Sequence, residues 1–225
     1  MTESLDALLE KSPWASQLPP QALARVRRET LVRDVPADGL VCRKGEPVEH
    51  WVGVVDGLVK ISSVSFEGKL VTFTGVPPGG WFGEGSLLKD EPRRYDVIAL
   101  RASRIAYVPR ELFQWLLDSS IGFNRFLLLQ LNERLGQFIA TLEYERLLGA
   151  DARVARCIAQ LFNPLLYPGS GRELKVSQAE IGYLTGLSRQ RANQALHALE
   201  SRGLIRVEYG GITVADLPGL SRYEG

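Results

Sequence analysis

Between Leu174 and Val207 the chain carries two short amphipathic helices in tandem, joined by a tight turn, and no other stretch constrains the fold as strongly. Ser177 precedes the first helix and Glu180 follows three residues later, a reciprocal capping box. Ile181 and Leu184 fall on its inner face, and Gly186 stands where the chain must turn sharply, a conformation that only glycine adopts cheaply. Ser188 then caps a second helix, with Ala192, Ala195, Leu196 and Leu199 on one face and Arg189, Gln190, Asn193 and Gln194 on the other. Leu204–Val207, Gly210-Gly211 and Ile212–Val214 read as a two-stranded wing behind it. The polar face suits duplex DNA: arginine pairs bidentately with guanine O6/N7, and glutamine or asparagine with adenine N6/N7. Ser177, Gln178, Ser188, Arg189, Gln190, Arg191, Asn193, Gln194 and Arg206 form the expected DNA-binding set, with Arg206 and Thr213 placed for phosphates. The plainer alternative is a helical hairpin with a solvated polar face.

Charge and composition narrow the class. The 225 residues suffice for two domains with a real core, and the net charge is only +1, so nucleic-acid binding must come from a local patch. From Gly186 to Val207 four arginines (Arg189, Arg191, Arg202, Arg206) face Glu200 alone. Two cysteines, Cys42 and Cys157, are too few for a disulfide framework and indicate a reduced, cytoplasmic setting. No basic stretch followed by an apolar run opens the chain, and no apolar run reaches about 18 residues, so neither signal peptide nor membrane span is expected.

Upstream, residues 3–29 read as short helices broken by Pro13, Pro19 and Pro20. From Leu31 to Val108 short apolar runs such as Trp51–Val55, Leu58–Ser62 and Leu70–Phe73 alternate with turns at Asp56-Gly57 and Glu67-Gly68, the texture of a roll or barrel. From Arg110 to about Phe162 the pattern is helical. Leu128, Leu131, Leu135, Phe138 and Leu142 step by alternating threes and fours, a seam that needs either a partner helix or the roll of the same chain. A break falls near Gly149–Asp151, with Asp151 as N-cap of the next helix, and Asn163-Pro164 and Tyr167–Gly171 form a loop.

The run from Gln178 to Asn193, followed by Leu196–Ile205, resembles the CRP/FNR family of bacterial transcription regulators, and Lys44-Gly45-Glu46, Val54–Ile61 and Trp81–Glu84 resemble its β-roll. The resemblance runs from about Leu31 to Val214. It implies an α+β protein: an N-terminal β-roll (a cyclic-nucleotide-binding-like jelly roll) over residues 1–118, a long dimerisation helix over 119–149, and a C-terminal winged helix-turn-helix over 150–225. It also implies a homodimer on double-stranded DNA with a palindromic operator, contact with RNA polymerase, and a seam of Leu128, Leu131, Leu135, Phe138 and Leu142 at the dimer interface. Arg189 matches the guanine-reading arginine, while Gln190 and Gln194 depart from the Glu and Arg of cyclic-AMP-responsive members, which implies a different site.

By the same resemblance Gly83, Glu84, Gly85, Ser86 and Arg94 form a phosphate-binding cassette, with backbone N–H groups and a guanidinium suited to a phosphate. Tyr95 replaces a small hydroxyl residue, and Phe138 and Ile139 stand where hydroxyl side chains would bond adenine; neither can do so. Three readings stay open: an effector other than cyclic AMP, no small effector, or a cyclic-nucleotide-responsive regulator. Gly83 and Glu84 read equally as a turn of the roll. Two cysteines do not make an iron–sulfur site, the two histidines, His50 and His197, give no zinc pattern, and haem ligation by His50 or Cys42 is a minor alternative. No catalytic constellation is present. The rivals from other classes are a ligand-binding module whose winged helix contacts proteins, and a cupin-like enzyme, which would need a His/Glu metal cluster in a roll that holds one histidine.

Overall fold

A computed structural model describes residues 4–168, 171–208 and 210–225. Residue 3 of the expected helical N-terminus and residues 169 and 170 of the expected Tyr167–Gly171 loop lie outside them. The chain opens with α1 (Leu5–Lys11), a single 3-10 turn (Ala15–Gln17) and α2 (Pro20–Glu29). Eight strands follow: β1 (Leu31–Val35), β2 (Leu40–Cys42), β3 (His50–Asp56), β4 (Val59–Val64), β5 (Leu70–Val76), β6 (Trp81–Phe82), then, after the short α3 (Glu84–Lys89), β7 (Asp96–Ala99) and β8 (Ser103–Pro109). They form two antiparallel four-stranded sheets, β1-β8-β3-β6 and β2-β7-β4-β5. Val52, Val54, Val59, Ile61, Val76, Phe82, Val97, Ala99 and Ile105 fill the space between them. Period-two alternation along the strands supplies this inner face.

A second core lies where α1, α2, α4 (Arg110–Ser119) and the start of α5 (Ile121–Leu147) pack on the roll. Trp51 stacks on Trp81 at 4.3 Å between ring centroids, and Trp14 meets Trp81 edge-on at 5.3 Å. The Trp81 indole N–H donates to Ser12 Oγ at 3.0 Å. Offset and edge contacts of this kind add to the burial of large aromatic surfaces.

The long helix carries two parallel stripes. Phe123, Phe126, Leu127 and Gln130 are buried on the roll. The second stripe is uncovered: Leu128 is 69% exposed, Leu135 59%, Phe138 38% and Leu142 51%, with Leu131 half-buried. The roll of the same chain therefore does not close the seam.

The remainder comprises α6 (Ala150–Gln160), β9 (Glu173–Leu174), α7 (Gln178–Thr185), α8 (Arg189–Ser201), β10 (Ile205–Glu208), β11 (Gly211–Val214) and α9 (Leu217–Arg222). Its core joins Val154, Ile158, Ile181, Ala192, Leu196, Leu199, Ile205 and Ile212. The N-cap of α6 is Gly149, not Asp151; Asp151 sits in the first turn and pairs with Arg191 at 2.6 Å. A carboxylate there still favours the helix N-terminus, while the ion pair ties α6 to α8. The wing sheet has three strands in the order β10-β11-β9, one more than the sequence pattern indicated.

The two halves exchange residues across their boundary. Leu58 of the roll belongs to the core of the C-terminal half, and Leu166 and Tyr167 from the loop after α6 belong to the core of the roll. Both cysteines are free, and burial pushes their thiols up, Cys42 to about 11 and Cys157 to about 12. Among the described residues, no helix is long and apolar enough to cross a membrane.

Candidate nucleic-acid interface and effector cassette

The capping box at the start of α7 is present: Ser177 Oγ accepts from Glu180 N at 3.3 Å, and the Glu180 carboxylate accepts from Ser177 N. Gly186 ends α7 with φ +67°, left-handed backbone that costs other residues about 1–2 kcal/mol. Ser188 caps α8 by accepting from Arg191 N at 3.2 Å. Ser177 and Ser188 thus spend their hydroxyls on caps.

Along α8, Arg189, Gln190 and Gln194 are exposed, and His197, 63% exposed at its side chain, continues the same line. Its exposure places His197 on the open face. Arg191 turns to Asp151 instead of standing free, and Asn193 is half-buried with its Oδ1 enclosed. Gln178 and Arg189 line one groove with Val207, Glu208 and Gly210 of the wing. Arg206 is exposed on β10, opposite Thr213. The open surface is therefore an arginine and two amides on the first turns of a helix, flanked by a wing cation, a donor and acceptor set suited to base edges and phosphates.

Behind this surface, α7 rests on the roll. Arg101, from the turn between β7 and β8, grips the Glu180 carboxylate through two N–H groups, with Nε to Oε1 at 2.9 Å. The Lys60 ammonium lies 4.8 Å over the Tyr183 ring. The Glu180 side chain is 8% exposed, so the paired charge is largely desolvated. Arg101→Ala leaves that carboxylate only its cap, and urea unfolding should register a loss of about 1.5–3 kcal/mol, the worth of hydrogen bonds to a charged group.

The cassette lies at the other end of the roll. Gly83 adopts φ +96° as the N-cap of α3, which favours glycine, and a Cβ there would sit 2.5 Å from Arg93 Nη1, so the guanidinium packs directly on this turn. Glu84 and Ser86 are buried, and Gly85 is half-buried. The arginine facing this turn is Arg93, 6% exposed, not Arg94. Arg94 points outward into an ion pair with Glu91 at 2.8 Å. Neighbouring residues in extended chain face opposite ways, so a one-residue offset exchanges the inner and outer arginine. Tyr95 stands beside Glu84, Arg93 and Arg134, and burial pushes its hydroxyl up to about 12.

Phe138 and Ile139 do not line the cassette; Ile139 is 61% exposed and both lie on the uncovered side of α5. The helix instead presents Arg134, which lies 3.6 Å from Glu84 Oε1 and donates to the Trp81 carbonyl at 2.7 Å. Arg134 continues the stripe of Phe123, Leu127 and Gln130, a second three-four spacing that marks the roll-facing side and signals Arg134 in the sequence. Glu84 Oε2 and Arg93 Nη1 are buried with no hydrogen-bond partner among the described residues. A buried acceptor on Glu84 and a buried donor on Arg93, which faces the neighbouring Gly83, are both left open, and such groups fit a polar ligand. Among the described residues, no group of three or more His, Cys, Asp or Glu side chains is placed to hold a metal.

Residues 32–120 match the cyclic nucleotide-binding domain, and residues 152–223 match the Crp-like helix-turn-helix domain. The transcriptional regulator SdrP of Thermus thermophilus is 30% identical over 77% of this chain and 83% of its own. The chain belongs to the CRP/FNR family. It is a transcription regulator with a DNA-binding helix-turn-helix. A CRP-like cAMP-activated global transcriptional regulator of Mycobacterium tuberculosis is 27% identical over 97% of this chain and 99% of its own. The solved structure of FixK2 from Bradyrhizobium japonicum shares the fold with a TM-score of 0.71 over 87% of this chain and 98% of its own, at 18% identity.

Proposed function

We propose that this CRP/FNR regulator works as a homodimer that reads a palindromic operator through α8. The observation that carries the reading is the exposed line of Arg189, Gln190 and Gln194 on a capped helix beside a wing, in a chain whose α5 leaves an apolar seam uncovered. Two copies joined along Leu128, Leu131, Leu135, Phe138 and Leu142 set two such helices on one face of DNA, about 34 Å apart. Gln178 and Arg206 hold phosphates, and Ser177 and Ser188 act by fixing the helix starts. Gln190 and Gln194 give the operator a preference unlike that of cyclic-AMP-responsive relatives. The regulator acts in the cytoplasm by binding DNA and contacting RNA polymerase, and catalyses nothing.

The cassette of Gly83, Glu84, Gly85, Ser86 and Arg93 takes a small polar effector other than cyclic AMP. Tyr95, buried near Glu84 where the resemblance implies a small hydroxyl residue, supports that reading, and Phe138 and Ile139 lie outside the cassette. The effector then shifts an existing equilibrium of the two halves, by as much as it prefers one arrangement. Cyclic AMP titrated up to millimolar concentration against a fixed operator should leave the DNA dissociation constant unchanged. A saturable tightening of tenfold or more overturns the effector reading and leaves the DNA reading standing.

A further inference from the structure

The loop between α6 and β9 carries two apolar residues that leave their own half of the molecule. Leu166 is 2% exposed and Tyr167 0%, and both are enclosed by the roll core of Val52, Val54, Val76, Phe82 and Ile105. Asn163 shapes the loop for this: its Oδ1 accepts from Leu165 N at 3.0 Å and Leu166 N at 2.9 Å, and its carbonyl accepts from Tyr167 N at 2.8 Å. Its side-chain amide donates to Glu133 of α5 at 2.7 Å. The Tyr167 hydroxyl donates to the Gly75 carbonyl at 3.1 Å and lies within reach of Thr74 and Gln137.

The roll is shaped to receive it. A Cβ on Gly80 would lie 2.9 Å from the Tyr167 ring, and one on Gly79 would lie 2.5 Å from the Pro168 carbonyl oxygen. At Gly80 the nearest clash, 2.4 Å, is with Val76 of the roll itself; at Gly79, where φ is +88°, it is with the loop's backbone, so a side chain there would push the loop away. The charge of Arg134, the residue paired with Glu84, also bears on the Tyr167 hydroxyl.

We infer that Leu166 and Tyr167 are an intramolecular peg: seated in the roll, they hold the DNA-binding half in its docked position and link that position, through Arg134, to the occupancy of Glu84. The link to Glu84 rests on reading the cassette as the effector site; the docking does not. The peg touches the roll through Gly75 and Gly80, the long helix through Gln137, and the winged half through its own chain. A ligand that draws Glu84 away from Arg134 shifts a charge that acts on the Tyr167 hydroxyl. Tyr167 is a positioning residue, acting on DNA binding only through where it places α8.

Hydrogen exchange of the full-length chain tests this. The amide of Leu100, which donates to the Leu58 carbonyl at 2.8 Å, lies under the docked half and does not touch the peg, so it reports undocking at a distance. Tyr167→Ala should raise exchange tenfold or more at residues 74–80 and at 100–103, with residues 50–56 and 189–201 as protected as in the parent. Tyr167→Phe keeps the ring and should stay within threefold of the parent. Gly79→Ala pushes Pro168 outward from the roll side and should reproduce the Tyr167→Ala pattern, which keeps the test open if Tyr167→Ala does not fold. Faster exchange confined to 74–80, with 100–103 unchanged, would overturn the peg. Glu84→Gln should raise exchange at 163–168 threefold or more; no change there would cut the link to the cassette and leave docking intact.

Discussion

Leu135→Glu yields a folded chain that no longer pairs and that loses its tight hold on the operator. Leu135 is 59% exposed in the single chain, so a carboxylate there disturbs no packing within one copy, and circular dichroism should match the parent. In the paired state the same position lies mid-seam between Leu128 and Phe138, and two-fold symmetry places two new charges in one apolar interface. Uncompensated buried charge costs about 3–5 kcal/mol, enough to favour separate chains at micromolar concentration. A single chain presents one recognition helix, so the second half-site becomes a separate binding event. Losing that linkage should weaken operator binding by roughly 10²–10⁴-fold. Sedimentation equilibrium together with a DNA titration checks both halves of the expectation. A variant that stays dimeric removes α5 as the pairing element.

Arg189→Ala should cost about 1–3 kcal/mol of specific binding and relax the preference for guanine at one position in each half-site. The side chain is exposed on the first residue of α8, so nothing in the fold depends on it. Lysine should not restore the preference, because it lacks the planar fork that grips O6 and N7 together. Arg206→Ala offers the contrast. A phosphate contact carries no sequence, so its loss weakens all DNA alike and lowers the salt dependence by about one counterion. If the two variants behave alike, α8 does not read bases.

The parts legible in the sequence were those whose chemistry is local. Ser177, Glu180, Gly186 and Ser188 act within a few residues of themselves, and the helices they delimit are found where the pattern puts them. The seam on α5 was legible because helical period alone defines it. Where a tertiary partner decides, the reading failed in definite ways. Asp151 has the chemistry of an N-cap, yet Arg191 is within reach and Gly149 begins the helix. Arg93 and Arg94 are identical residues side by side, and only the packing of Gly83 settles which one faces inward. Phe138 and Ile139 share one helix with the stripe of Phe123, Leu127 and Gln130, and only the packing of the roll decides which stripe is buried. Trp14, Trp51 and Trp81 come from three separate elements, and no periodicity announces that their rings meet. The Leu166–Tyr167 insertion is of the same kind: a loop of ordinary composition whose receptor, Gly79-Gly80, lies far away in the chain.

The central claim is that a pair of α8 helices reads two-fold symmetric DNA, and selection of bound sequences from a random duplex library by the full-length parent and by Arg189→Ala measures it directly. The account predicts that the parent enriches an inverted repeat with half-site centres about one helical turn apart, near 10–10.5 base pairs, and that Arg189→Ala loses one guanine from each half. Enrichment of a single asymmetric motif, or of the same repeat by both proteins, would contradict it.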